Sequence, residues 1–531
     1  MLDKRVYYYL LLILTILMVS SFYLSWTTEQ AMGTVDVERT GVDIGDGRLV
    51  NYTVYSPRFP EYTAPFPIVL TIHGVGGSKE AMYGFNIELA RRNFTVVSVD
   101  LAGHGDNINS FNISDTRLMA IDCYGALRQV QTTYDNVDPS LYGVIGHSLG
   151  FQVALHLYTE DFSHKPSGFA AIGPVWIDSE TSFPGNILLA SGDFDEIVPK
   201  NSLIETFRNI TGNETAIPSY TYGHFENETA ARLVFAPTNH LFEVNNIKIV
   251  TEAVSWMTQC LQGTDQLAEN IPLTDLVFDN KNIALVVGGV SFILTQIPLL
   301  ISLVSLLPRR LAPPRIAENA STPSINRTIL FSVIAGTVIP LTFYLAGILG
   351  VGLESSGVVF LGGMLSTGMV ISLIVTPIIL FILVMVIMGR DVLVECLSAV
   401  GYSDDKRLLI RSVISSLIPA MLVIIWTFFW MYIGARPDGT MFVIIMPMFS
   451  FPSVIEMQQI LIFTLLAMPL VTLDAMWIRG VLFSGNNATD LPKQIKKMSV
   501  TIILRALPTI AAAVAVLYLG VIIGFTVGRV V

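Results

Sequence analysis

Seven apolar runs, each long enough to cross a bilayer as a helix, constrain this 531-residue chain more than any other feature. The first, residues 6–26, follows Lys4 and Arg5, and its 21 residues suffice for about 30 Å of hydrocarbon. It is longer than the roughly 7–15-residue core of a cleavable signal peptide, so an uncleaved signal anchor is expected. Six more runs lie near 283–306, 328–351, 356–388, 410–434, 458–478 and 500–527. The 356–388 run is overlong and contains Pro377, which predicts a tilt or a kink. Residues 442–451 are too few to span and are followed by Pro452, so they read as re-entrant or interfacial.

Charge separates a second region from this frame. Only 14% of the chain is charged, against about 25% in soluble proteins, and the share is uneven. Residues 27–282 hold 31 Asp and Glu against 14 Lys and Arg, whereas the remainder holds 11 against 17. An acidic polar segment therefore interrupts a basic apolar one. Such a segment lacks the clustered Lys and Arg that phosphate binding requires, which excludes nucleic acid as a partner.

The basic residues also predict an orientation. Lys4 and Arg5, Arg309/Arg310/Arg315/Arg327, Arg390/Lys406/Arg407/Arg411 and Arg479/Lys493/Lys496/Lys497 fall in alternate connections, while the opposite ones offer only Arg436. By the positive-inside rule the N-terminus is cytoplasmic and residues 27–282 and the C-terminus lie outside. Six Asn-x-Ser/Thr sequons, at Asn51, Asn93, Asn112, Asn209, Asn213 and Asn227, fall in that outer segment and predict a glycoprotein. Asn319, Asn326 and Asn487 also lie in sequons, but on the inner side. The expected organisation is a signal-anchor helix over 1–26, an extracytoplasmic domain over 27–262, a linker over 263–282 and a membrane domain of about six helices over 283–531.

Cys123, Cys260 and Cys396 are too few and too scattered for a disulfide framework or a CxxC metal site, although a single Cys123–Cys260 bridge is one conceivable pairing. All seven histidines (His73, His104, His147, His156, His164, His224 and His240) lie in the acidic segment. Histidine-ligated metal chemistry inside the membrane is thereby excluded, and no metal or cofactor is expected.

Within the acidic segment, apolar β-type runs alternate with helical patterns. Strands are expected over 50–55, 68–73, 95–100, 143–146, 168–172, 187–190 and 232–236, and helices over 79–91, 116–132, 149–158, 202–207 and 247–261. Short continuous apolar strands between helices imply an α/β fold, a doubly wound and mostly parallel sheet covered on both faces. Ligands then bind at the carboxyl ends of the strands. Four motifs sit there. Gly146-His147-Ser148-Leu149-Gly150, between a strand and a helix, has the G-x-S-x-G form of a nucleophile elbow. His73-Gly74-Val75-Gly76-Gly77-Ser78, Gly192-Asp193-Phe194-Asp195-Glu196-Ile197-Val198-Pro199 and Thr238-Asn239-His240 each follow another strand.

With HGVGGS, DLAGHG (residues 100–105), GHSLG and GDFDEIVP in this order, the chain resembles the α/β-hydrolase fold serine hydrolases over about residues 48–261, roughly 40% of its length. The membrane remainder carries no such resemblance. The likeness implies Ser148 as nucleophile, His240 as the base that takes its proton, and Asp195 as the acid that orients His240. It also implies an oxyanion hole formed by the backbone N–H groups of Leu149 and Val75. Asp195 is preferred to Asp193 because it stands four residues before the proline. His224 is the rival base, lying in an insertion that no strand precedes. His147 is expected to pack beside the nucleophile, His104 to serve a turn and His73 to hold its loop.

Only residues 173–186 separate the strands expected over 168–172 and 187–190, which leaves no room for the helical cap of many lipases and predicts an open pocket. The resulting expectation is a membrane-embedded hydrolase that cleaves carboxylic esters through an acyl-serine on the outer side. Its partners would be an acyl-ester or amphiphilic substrate and the lipid bilayer. The alternatives are a peptidase or acyltransferase on the same residues, or a transport or sensor protein with a non-catalytic binding domain. In the membrane region, Asp474 and Arg505 lie at similar depth and are candidates to pair. Residues 473–480 faintly resemble the E-E-x-x-x-R-G motif of intramembrane CAAX-type proteases. Ala475 replaces the second Glu and no histidine follows, so that activity is not expected. Gly362, Gly363 and Ser366 are small enough for close helix packing.

Overall fold

The computed structural model describes residues 4–58, 65–107, 111–160, 162–175, 183–263, 275–306, 325–355, 366–391 and 406–438, with isolated positions between and beyond them. The acidic segment forms a nine-stranded sheet. Its strands are β1 (Val35–Asp43), β2 (Leu49–Pro57), β3 (Phe66–Ile72), β4 (Thr95–Val99), β5 (Val137–His147), β6 (Gly168–Ile172), β7 (Ile187–Gly192), β8 (Thr221–Tyr222) and β9 (Ala231–Ala236). They lie in the order β1-β2-β4-β3-β5-β6-β7-β9-β8. The six from β4 to β9 in that order run parallel, and β1, β2 and β8 join antiparallel at the edges.

Apart from the start of β5 and Arg232 of β9, the parallel strands are buried and mostly apolar because both faces are covered. Ile68, Leu70 and Ile72 of β3 point into a core shared with α3 (Thr116–Thr133), α4 (Leu149–Thr159) and α5 (Lys200–Thr211). Val69, between them, points into the opposite core with α2 (Tyr83–Ala90) and α6 (Ile247–Gln262). Cys123 belongs to the first core and Cys260 packs against the second; both are free thiols, so the Cys123–Cys260 bridge is not made.

Three further expectations are corrected. The helix expected over 79–91 is a 3-10 turn, Lys79–Met82, followed by α2. The Lys79 backbone N–H donates to Asp100 Oδ1 at 2.7 Å, and the Lys79 ammonium meets Asp100 at 2.5 Å and Asp106 at 2.6 Å, which fixes a turn there instead. β1 was not expected, because its alternating polar residues are those of a solvated edge strand. A strand does precede His224, since β8 ends at Tyr222.

Two apolar helices meet this domain. α1 (Lys4–Glu29) ends at Glu29, and α7 (Phe278–Leu306) begins within the residues expected as linker. Phe278 and Leu285 of α7 join the α2/α6 core, and full burial of such a side chain is worth about 1.5–3 kcal/mol. The helical region continues with α8 (Ile325–Ser355), α9 (Ser366–Ile387) and α10 (Lys406–Asp438). Among the described residues, Arg5–Glu29, Phe278–Leu303, Ile329–Gly350 and Thr367–Ile387 are long and apolar enough to cross a membrane. Pro377 lies inside α9. α8 and α9 touch through glycine: a Cβ on Gly350 would stand 2.3 Å from the Gly368 nitrogen. The runs at 458–478 and 500–527, the 442–451 segment, Gly362, Gly363, Cys396, Asp474 and Arg505 lie outside the described residues.

Candidate active site

The carboxyl ends of β5, β7 and β9 converge on one point. β5 turns into α4 through Ser148, whose φ of 53° and ψ of −116° place a non-glycine residue in strained backbone. The turn is this tight only because its flanks lack side chains. A Cβ on Gly146 would stand 2.5 Å from the Gly150 carbonyl oxygen, and one on Gly150 would stand 2.2 Å from that of Ile72. The Ser148 N–H donates to the Ile172 carbonyl of β6 at 2.9 Å, which anchors the elbow to the sheet.

β7 delivers Asp195. Its Oδ1 accepts the N–H groups of Ile197 at 2.8 Å and Val198 at 2.9 Å, and its Oδ2 accepts Ser191 Oγ–H at 3.1 Å. β9 delivers His240 through a 3-10 turn, His240–Asn245, capped by Asn239, which accepts the Phe242 N–H at 3.2 Å. His240 Nε2 lies 2.9 Å from Ser148 Oγ, and Nδ1 lies 3.0 Å from Asp195 Oδ2. With its proton on Nδ1, the imidazole donates to Asp195 and accepts from the Ser148 hydroxyl. All three side chains are buried or nearly so.

Burial alone would raise the Asp195 carboxyl; the hydrogen bond from His240, the charge of that ring and the Val198 and Ile197 N–H groups bring it down to about 2. The acid facing His240 is thus ionised across the neutral range.

The remaining sequence candidates separate clearly. Asp193 points away to Lys200, at 2.5 Å. His224 is exposed on the β8–β9 hairpin, where its backbone N–H donates to Thr229 Oγ1 at 3.0 Å. His147 is buried beside His240, with ring centroids 5.0 Å apart, and its Nε2 donates to the His240 carbonyl at 3.2 Å. Burial and the neighbouring His240 push His147 down to about 3, so it stays neutral. His73 Nε2 accepts the Leu101 N–H at 3.1 Å while Nδ1 donates to the Gly74 carbonyl at 2.7 Å, locking its loop to the strand-β4 end. His104 lies between His73 and Phe111, tilted to the first ring and edge-on to the second, and bonds the Ala102 carbonyl at 2.9 Å.

The His73 loop crosses the serine closely: a Cβ on Gly74 would stand 2.9 Å from Ser148 Cβ. The backbone N–H groups of Val75, next in that loop, and of Leu149, first in α4, make no hydrogen bond among the described residues.

One acid escaped the sequence analysis. Glu243, in the same turn as His240, is fully buried behind the ring, with Oε2 3.5 Å from His240 Nδ1. Its spacing three residues after the histidine was the only local signal. The ligand atoms of His147, His240 and Glu243 lie within 4.8 Å of one another, the one such grouping among the described residues. Both His240 nitrogens already face Ser148 and Asp195, so these groups do not form a free ligand set.

The family comparison agrees with this architecture. Residues 69–277 match the model of a family described as "Alpha/beta hydrolase family". Among solved structures, a bacterial heroin esterase is similar at 17% identity and a TM-score of 0.32, over 43% of this chain and 85% of that one. No curated protein matches the chain.

Proposed function

With residues 69–277 as an α/β-hydrolase domain on a chain that also carries long apolar helices, we propose a membrane-embedded serine hydrolase that cleaves carboxylic esters on the extracytoplasmic side. The observation that carries this reading is the unbroken relay from Ser148 Oγ to His240 at 2.9 Å and from His240 to Asp195 at 3.0 Å, placed on a strained elbow.

In the proposed reaction Ser148 Oγ attacks the ester carbonyl while His240 Nε2 takes its proton. Asp195 stabilises the resulting imidazolium. The Leu149 and Val75 N–H groups receive the developing oxyanion, and each such donor is worth about 3–4 kcal/mol. Collapse of the tetrahedral intermediate expels the alcohol, which leaves with the proton from His240. Water, deprotonated by the same nitrogen, then cleaves acyl-Ser148 to the free acid.

Apolar side chains favour an acyl group as the bound part. Phe194 and Ile197 flank Asp195, Leu241 and Phe242 follow His240, and all four are exposed. The turn that carries His240 ends at Asn245, whose carbonyl accepts from Asn282 Nδ2 at 3.4 Å. Asn282 belongs to α7, a helix long enough to span a bilayer, so the base-bearing turn is tied to a membrane-entering element. An amphiphilic ester fits both features. The outer location rests on the distribution of Lys and Arg and on the sequons at Asn112, Asn209 and Asn227, which are exposed.

The test is hydrolysis of p-nitrophenyl butyrate by the full chain in detergent. Ser148→Ala should lower kcat by at least about 10³-fold with the fold intact. Equal rates in wild type and variant would remove Ser148 from the chemistry.

A further inference from the structure

Glu243 occupies a place prepared for it yet takes no part in the relay just described. Its Oε1 accepts the Gly192 N–H at 2.6 Å, whereas Oε2 receives no hydrogen bond. That free oxygen lies 3.5 Å from His240 Nδ1 and 3.4 Å from His147 Nε2. The space exists because residue 173 is glycine. Gly173 has a φ of +50°, and a Cβ there would stand 2.1 Å from Glu243 Oε2 and 2.8 Å from His240 Cε1.

Two carboxyl groups thus face one imidazole nitrogen. The groups around Glu243 are Asp195 and Ser191 of the β7 end, His147 of the elbow and His240 of its own turn. Burial and the Asp195 charge push the Glu243 carboxyl up to about 10. Of the two carboxyl groups, Asp195 is therefore the ionised one and Glu243 the one that keeps its proton.

We propose that Glu243 is a positioning residue, a reserve acid held beside His240 Nδ1 that takes over this nitrogen when Asp195 is removed. The inference rests on the serine-hydrolase reading above. Without Asp195 the charge that adds to burial in keeping the proton on Glu243 is gone, so the acid ionises at a lower pH. Glu243 can then ionise and hold the imidazole in the same tautomer from Oε2. A purely structural Glu243 would do none of this.

The experiment follows the rate at which a fluorophosphonate probe labels the full chain in detergent. Wild type, Asp195→Ala and the double variant Asp195→Ala/Glu243→Gln are compared from pH 6 to pH 10. Loss of the orienting acid alone costs serine hydrolases about 10⁴-fold, so the residual rates decide. Asp195→Ala should label at least about ten-fold faster than the double variant, with an alkaline rise that the double variant lacks. Equal rates and parallel pH profiles would overturn the reserve role. If the double variant does not fold, Asp195→Ala/Glu243→Asp replaces it, since the shorter acid withdraws from Nδ1 by one methylene. Labelling there as fast as in Asp195→Ala would likewise overturn the inference. Wild type that fails to label would defeat the serine-hydrolase reading itself, whereas labelled wild type with flat variants defeats only the role of Glu243.

Discussion

Glu29 at the end of α1 and Lys281 in the first turns of α7 form a buried ion pair across 252 positions of sequence. The same carboxylate accepts from Arg39 of β1 at 3.0 Å and from Tyr55 of β2 at 2.7 Å. Two apolar helices are thereby tied to each other and to the edge of the sheet. Removing Lys281 takes one of two cations from a buried carboxylate and leaves Arg39 to balance it. Lys281→Met should therefore destabilise the hydrolase domain by about 2 kcal/mol, the loss of one charged hydrogen bond, seen as a lower Tm of the full chain in detergent.

How far the residues announced this arrangement depended on whether the cause was local. β3 to β7 and β9 are legible because burial on both faces leaves uninterrupted apolar runs, and the elbow is legible because its glycines are required within five residues. β1 is not, since a solvated edge strand has a mixed pattern, and β8 is only two residues long. Asp100 shows only as part of a motif, and its partner Lys79 stands 21 positions before it. Glu243 shows least. Its place is made by Gly173 after β6 and Gly192 at the end of β7, residues that no spacing rule connects to it.

The buried carboxyl of Glu243 also makes stability depend on pH. Its value rises from 4.5 to about 10 on folding, so the folded state holds the proton more tightly. This contribution is complete below pH 4.5 and is lost as pH rises toward 10. Glu243→Gln cannot lose a proton. Between pH 5 and pH 9 the Tm of the variant should therefore gain on that of wild type, as followed by thermal unfolding of the full chain in detergent.

The exposed side chains beside the relay should govern acyl length. Leu241→Ser/Phe242→Ser removes apolar surface next to His240 without touching its hydrogen bonds. The ratio of kcat/KM for p-nitrophenyl octanoate to that for p-nitrophenyl acetate should fall by about ten-fold, chiefly through the longer ester. An unchanged ratio would place the acyl group elsewhere.

The most direct measurement is labelling of intact cells with a membrane-impermeant fluorophosphonate, wild type against Ser148→Ala and His240→Ala. A Ser148 activated by His240 at 2.9 Å on the outer side should label in wild type alone, before lysis. Label that appears only after lysis would contradict the orientation, and no label in either state would contradict an activated serine.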